Sequence, residues 1–304
     1  LPGIDDETQE AAGAWRSTLI VTGSDAKFFT LGSELIASIR ACGPADVAIA
    51  YYDFGLTAEQ QDWLRQNHVI VRRPEVTLVP PATVAQWPAA LSCISRPFLR
   101  ENFPGYRVYV FIDADAWVQD WAGVQALHDG AVASGAAVVS ERERAYRFWP
   151  WLIGWRVKHF VRGCGAATGL WLAARPHINA GVFAMHADAP HWERWQARYR
   201  ETYRRTGVPQ PHDQFTLNAT IHLDGLASTF LPATCNWICD LAAPMWDSGR
   251  RTYCLPYRPY TPIGVLHLAG PAKSATFDIR ATDGTTRRTG LRYAAGRVPA
   301  HAAA

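Results

Sequence analysis

Short apolar blocks alternate with stretches whose apolar residues recur at helical spacing, and the alternation sets the expected order of elements. STLIVTG, starting at Ser17, is a β-rich run closed by Gly23, and KFFTLGSELIASIRAC after it carries the 3.6-residue pattern. A strand followed by a helix is predicted there. DVAIAYYD (Asp46 to Asp53) reads as a second strand, AEQQDWLRQN as a helix, HVIVRR as a third strand and RVYVFID (Arg107 to Asp113) as a fourth. Strands alternating with helices predict an α/β fold with a mostly parallel, Rossmann-like central sheet covered on both faces. In open sheets of this kind ligands bind beyond the carboxyl ends of the strands, so chemistry is sought where strands close, at Gly23 to Asp25 and at Asp113 to Asp115.

The second half is less regular. It holds the β run AAVVSE, an aromatic and basic stretch from Arg142 to Arg162, a strand INAGVFAM and a helical HWERWQARYRETYRR. The segment PHDQFTLNATI, a short strand ASTFLP and a last strand IGVLHLAG ending at Gly270 follow. No internal repeat is visible. One domain is expected over residues 16–276, with a nucleotide-binding half to about 115 and an acceptor-side half beyond it. Residues 1–15 read as an extension. The tail, 277–304, is Thr/Arg/Ala/Gly-rich from about Thr282 and shows no apolar period, so a surface or disordered tail is expected.

Composition narrows the class. With 48% hydrophobic and 19% charged residues the chain has the apolar material for a large core. A formal charge of +3, without a continuous Lys/Arg stripe, argues against a nucleic-acid partner. No stretch reaches the roughly 20 apolar residues of a membrane span, and the opening lacks the basic start and apolar run of a signal peptide. Six sparse cysteines, with Cys235 and Cys239 lacking the second pair that a zinc site needs, read as reduced and mostly buried thiols, and so as a cytoplasmic compartment.

Two strand ends carry candidate chemistry. VYVFIDADAW puts Asp113 and Asp115 at i and i+2 beyond an apolar strand, on one face if the strand continues, and paired carboxylates make a hard oxygen site for a divalent cation. A turn of solvated aspartates would give the same triplet, but ending so apolar a strand in two like charges is costly unless a cation or donors balance them. The last strand runs into HLAGPAKS, with His267, Gly270 and Lys273 spaced three apart. A lone histidine there is an ordinary structural residue. Together with two carboxylates, imidazole suits Mn²⁺ better than Ca²⁺, while glycine allows close backbone approach to a phosphate and lysine supplies a point charge for it.

With these pieces the chain resembles glycosyltransferase family 8, the retaining, metal-dependent enzymes on the glycosyltransferase A fold. The matching segments are IVTGSDAKFF, SRPFLRENFPGYRVYVFIDADAWVQDW, INAGVFAMH, HDQFTLNATI, CNW and GVLHLAGPAKS, in the family's order from about Ser17 to Lys273. The resemblance implies that Asp113, Asp115 and His267 ligate Mn²⁺, or Mg²⁺ in its place, and that Gly270 and Lys273 meet the diphosphate of a UDP-sugar. It implies further that Thr22, Gly23 and Asp25 line the nucleoside pocket, that Arg96 helps hold the donor, and that Asn179, Ala180, Asp213 and Gln214 surround the transferred sugar. Asp213 and Gln214 are the catalytic candidates, and the expected reaction moves glucose or galactose to a glycan or lipid-linked acceptor, as in bacterial cell-surface glycan synthesis. Ser274 and Ala275 stand where many members carry Pro-Trp, and His212 matches no family role. Apart from the family, Asp213 has a second, lesser reading as a helix N-terminal carboxylate, and Asn179-Ala180-Gly181 one as a turn or bulge in its strand.

Other classes fit less well. The turn VTGSDAKFF lacks the G-x-G-x-x-G of a dinucleotide enzyme, and no G-x-x-x-x-G-K-[ST] marks a P-loop. The early Gly-rich, Arg-containing loop of a sugar-nucleotide pyrophosphorylase is missing as well. A non-catalytic sugar-binding protein is the alternative of another kind, since 13 Trp and 11 Tyr offer stacking surfaces; the acid, His and Lys set argues for catalysis. RERAYRFWPWLIGWRVKHFVR, residues 142–162, has two readings. One is a peripheral contact with the inner face of a membrane, extended by Arg194, Arg198, Arg200, Arg204 and Arg205. The other is an aromatic insertion packed over the acceptor side of the cleft, with solvated arginines.

Overall fold

Alternation within the first apolar blocks divides the sheet's side chains between two cores. In β1 (Thr18–Ser24), Ile20 faces one side and Leu19 and Val21 the other; in β4 (Val108–Ile112), Val108, Val110 and Ile112 oppose Tyr109 and Phe111. Burial on both faces is why these strands read as nearly continuous apolar runs. The protein is described here by a computed structural model covering residues 15–87, 90–209 and 212–293.

The chain continues from β1 through α1 (Phe29–Cys42), β2 (Ala48–Asp53), α2 (Ala58–Gln66) and β3 (Val69–Arg72). Short helices α3 (Pro81–Gln86), α4 (Leu91–Ile94) and α5 (Leu99–Asn102) lead into β4. Then come β5 (Ala116–Val118), α6 (Trp121–Ser134), β6 (Ala136–Ser140), the helical hairpin α7 (Pro150–Cys164) and α8 (Ala166–Ala173), β7 (Ile178–His186), α9 (His191–Thr206), α10 (His212–Leu223) and β8 (Thr229–Leu231). Seven strands form one sheet in the order β3-β2-β1-β4-β7-β6-β8. It is parallel except where β7 runs antiparallel between β4 and β6.

A smaller sheet carries the rest of the site. In it β12 (Val265–His267) pairs antiparallel with β5, setting His267 opposite Ala116, and parallel with β9 (Trp237–Ile238). Its own core gathers Trp117, Trp237, Leu266 and Leu268. Two further hairpins, β10 (Met245–Asp247) with β11 (Thr252–Cys254) and β13 (Thr276–Arg280) with β14 (Thr286–Gly290), lie beyond it.

The C-terminal stretch departs from expectation. Residues 286–290 are a strand, Leu291 is fully buried, the Trp117 indole donates to the Leu291 carbonyl at 2.8 Å, and Arg292 pairs with Glu34. Thr286–Gly290 is polar because its side chains are largely exposed, so backbone pairing orders it without an apolar period. The extension at 1–14 and the last residues, 294–304, lie outside the described residues. All six cysteines are free thiols, and among the described residues no helix is long and apolar enough to cross a membrane.

Candidate metal and donor site

β4 ends at Ile112, and the chain turns at once, the Ala116 N–H donating to the Asp113 carbonyl at 2.9 Å. Asp113 and Asp115 are therefore brought together by a turn, not by continued strand alternation as the i, i+2 spacing suggested. The register of the two sheets does the rest. β4 pairs with β7 up to Ile112 opposite Val182, and the next N–H, that of Asp113, donates to Gly181 O at 2.7 Å. On the other side Leu268 N–H donates to Asp115 O at 2.8 Å, so His267 is fixed beside the turn.

His267 Nε2 lies 3.3 Å from Asp115 Oδ1 and 3.8 Å from Asp113 Oδ2, and one potential ligand atom from each of the three residues falls within 4.8 Å of the others. Charges of both signs surround the trio. Lys273 Nζ sits 2.6 Å from Asp115 Oδ2, and Arg96 Nη2 donates to Asp113 Oδ1 at 2.5 Å while its Nη1 pairs with Asp213. Burial pushes the Asp115 carboxyl up, but His267 and Lys273 outweigh it and hold the group below the usual carboxylate range. For Asp113 burial prevails over Arg96, aided by the Asp115 charge, and its pKa is raised. His267 is pulled down by burial and lifted more by Asp115 and Asp113, so it ends raised.

The donor set fits a divalent cation. Asn236 Nδ2 donates to Asn179 Oδ1 at 3.1 Å, which leaves Asn236 Oδ1 facing His267 Nδ1 at 3.0 Å as an acceptor. Neutral His267 thus carries its proton on Nδ1 and turns the Nε2 lone pair toward the two carboxylates, the arrangement of a metal-ligating histidine with its supporting hydrogen bond. Asn179 is itself anchored, donating to Glu141 Oε1 at 2.9 Å, and Glu141 pairs with Arg156 of α7. Space is reserved as well: a Cβ at Gly181 would come 2.5 Å from both Asp113 Oδ2 and His267 Cε1.

The other predicted residues fall around this trio with differing roles. Gln214, on the first turn of α10, accepts from Ala180 N–H at 3.1 Å and donates to His177 Nε2 at 2.8 Å. Burial, with Arg156 and His222 nearby, pushes His177 well below the usual imidazole range, so it is neutral and accepts that bond. Asp213 lies beside Gln214 at the same helix start and is held by Arg96 from the other side. Asn179 and Ala180 sit where β7 bulges: Val138 pairs with Phe183, yet Val139 pairs with Asn179.

At the open end of β1, Gly23 and Asp25 are partly exposed, whereas Thr22 and Ala180 have no exposed surface, so neither of these two lines open space. Gly23 is required by packing, since a Cβ would meet Tyr52 Cβ at 2.6 Å, and Asp25 Oδ1 accepts from Phe28 N–H just before α1. Gly270 has φ +59°, a backbone that other residues adopt only with strain, and faces the Asp240 carboxylate. Arg96, read as a donor contact, is committed to two carboxylates and stacks over Phe111 at 4.9 Å. Glu141, His177, Gly181 and Asn236 had no assigned role; Glu141 closes its strand AAVVSE just as Asp113 closes VYVFI, and Asn236 is the middle of CNW.

No protein-family model and no curated protein matches the chain. Among solved structures it is similar to the galactosyltransferase LgtC in complex with donor and acceptor sugar analogs, at 15% identity and TM-score 0.51, covering 84% of this chain and 88% of that one. It is also similar to an active-site mutant of LgtC (12% identity, TM-score 0.49, 83% and 88% covered) and to the bifunctional glycosyltransferase WbbM (15%, 0.44, 84% and 46%). The chain therefore has the glycosyltransferase A-type fold that its motifs implied, shared with LgtC over most of its length.

Proposed function

We propose that the chain is a retaining, Mn²⁺-dependent glycosyltransferase of family 8, moving glucose or galactose from a UDP-sugar to a glycan, glycolipid or other acceptor. One observation carries the reading: two carboxylates and an imidazole converge at the end of β4, with the imidazole tautomer set by Asn236. When bound, Mn²⁺ or Mg²⁺ offsets the diphosphate charge and stabilises the UDP leaving group. Asp113, Asp115 and His267 would hold it.

The protein's own groups supply the remainder. Lys273, now on Asp115, is within reach of a phosphate oxygen beside that carboxylate, and the left-handed Gly270 keeps the approach free of a side chain. Gly23 and Asp25, open at the end of β1, face the nucleoside side. Asp213 and Gln214 start α10, where Arg96 links Asp213 to the metal-binding turn and Ala180 and His177 orient the Gln214 amide. These two residues, with Asn179, position the sugar at its anomeric carbon. With Asp213 already paired to Arg96, its carboxylate is a poorer nucleophile, which favours attack on the donor's leaving-group face over a covalent intermediate.

Incubation with UDP-glucose and UDP-galactose in Mn²⁺ should release UDP slowly into water and faster with a suitable acceptor sugar. The product anomer, read by NMR, should be α from the α-linked donor. A β-linked product would contradict the retaining assignment, and absence of UDP release with every donor would favour a sugar-binding protein without transfer activity.

A further inference from the structure

Hydrophobic exposure is concentrated in one place. Of the eleven exposed large hydrophobic side chains among the described residues, six lie in the α7–α8 hairpin and the residues that enter it: Phe148, Trp149, Trp151, Ile153, Leu170 and Trp171. Phe148 is 74% exposed and Trp151 64%, so these two rings are not packed over the cleft. The inner face of α7 does pack there, with Trp155 on Phe215 at 5.0 Å between centroids and Phe160 buried. The hairpin is thus anchored by one face and, among the described residues, unpartnered on the other.

Charge identifies the occupant. From Ala145 to Arg175 the sequence has five basic residues and no Asp or Glu. Arg156 is spent on Glu141, but Arg147, Lys158, Arg162 and Arg175 are exposed. Trp151, Lys158 and Arg162 lie on the exposed stripe of α7, aromatic toward its start and basic toward its end. Just beyond α8 the Arg175 guanidinium stacks 3.9 Å over the exposed Trp171 ring, an aromatic body with a cationic rim. Of the α9 arginines, Arg194 and Arg198 pair with Asp224 and Arg205 with Glu201, so these three charges are partly committed within the protein.

We infer that the α7–α8 hairpin docks on an anionic lipid surface. Tryptophan and phenylalanine settle at the headgroup level, lysine and arginine are attracted to acidic headgroups, and an amphipathic helix with both lies in the interface plane. Docking there places α10, which bears Asp213 and Gln214 and packs on the hairpin through Phe215, next to the bilayer. An acceptor carried by a lipid would then reach the site without leaving the membrane; that extension alone rests on the transferase reading.

Cosedimentation with vesicles tests the docking itself. The full chain should bind phosphatidylcholine vesicles containing one quarter phosphatidylglycerol at low ionic strength, and bind pure phosphatidylcholine at least roughly tenfold more weakly, since each cation near an acidic surface adds about fivefold to binding. Raising the salt should release it. Phe148→Ser with Trp151→Ser, both at exposed positions, should weaken binding about tenfold while leaving UDP release into water unchanged, and Lys158→Glu should act similarly. No binding to the acidic vesicles would overturn the proposal, as would equal binding by the double variant. So would a concentration-dependent dimer, seen by gel filtration and abolished by that variant, because the face would then be a contact between copies. Asp115→Asn should bind vesicles like the parent chain, so a failed transferase reading and a failed docking proposal remain distinguishable.

Discussion

Asp115→Asn should lower kcat/KM for transfer roughly a thousandfold while leaving the fold intact. The amide keeps the size of the carboxylate but loses the charge that a cation requires at this position. It also strands Lys273, whose ammonium sits 2.6 Å from Asp115 Oδ2, and removes the anion that lifts His267. UDP formation at saturating Mn²⁺, with thermal unfolding as a control, measures the effect; activity near that of the parent chain would remove Asp115 from the metal site. The same trio predicts a pH dependence. The raised His267 stabilises the metal-free protein below its unfolded-state pKa of about 6.5, and that contribution is lost as pH rises through the folded value. Metal binding needs the neutral imidazole. The increase in Tm produced by Mn²⁺ should therefore grow with pH across this range, and a flat or opposite trend would mean that His267 is not a ligand.

Arg96→Leu should destabilise the protein by about 3–5 kcal/mol, the usual cost of removing one partner from a buried ion-pair set. One guanidinium here serves two carboxylates, Asp113 at the end of β4 and Asp213 at the start of α10, and its side chain is only 12% exposed. Leucine fills part of the volume and leaves both acids uncompensated. Arg96→Lys should recover part of the loss, because a single ammonium lacks the planar fork that meets two acids at once. Urea unfolding gives the comparison; a change below about 1 kcal/mol for Arg96→Leu would show that the carboxylates relax into solvent and that Arg96 does not join the two elements.

Much of this arrangement was legible because burial leaves a plain mark. VYVFI could be read as a strand, and its two terminal acids as a pair of charges that needs balancing, since the cost of ending an apolar strand in like charges is visible without a structure. How the acids meet was not legible: spacing suggested strand alternation, whereas the geometry is a turn set by pairing to Gly181 and Leu268. α6 gave only a weak sign, because Val124 and Leu127 on its buried face are flanked there by the small residues Gly123, Gly130 and Ala131. Gly123 approaches Gly264 closely enough that a Cβ would lie 2.9 Å from that Cα, and Gly130 stands as near to Ala137. Glycines on a packing face thin the apolar stripe on which periodicity depends. The network from Glu141 through Asn179 and Asn236 to His267 joins residues up to 126 positions apart, between Glu141 and His267, and only the two sheets bring them together. Arg96 illustrates the remaining difficulty, for a family motif marks the residue but not that its charge is already committed to Asp113 and Asp213.

If the proposed function holds, the chain binds a nucleoside diphosphate through a cation held by Asp113, Asp115 and His267. Calorimetric titration of UDP into the protein, in Mn²⁺ and again in chelator, tests it without requiring the acceptor or the sugar to be known. Binding should be at least about a hundredfold tighter with Mn²⁺, a gain of about 2.8 kcal/mol, and that gain should be lost in Asp115→Asn. Equal affinity in chelator and in Mn²⁺ would contradict it.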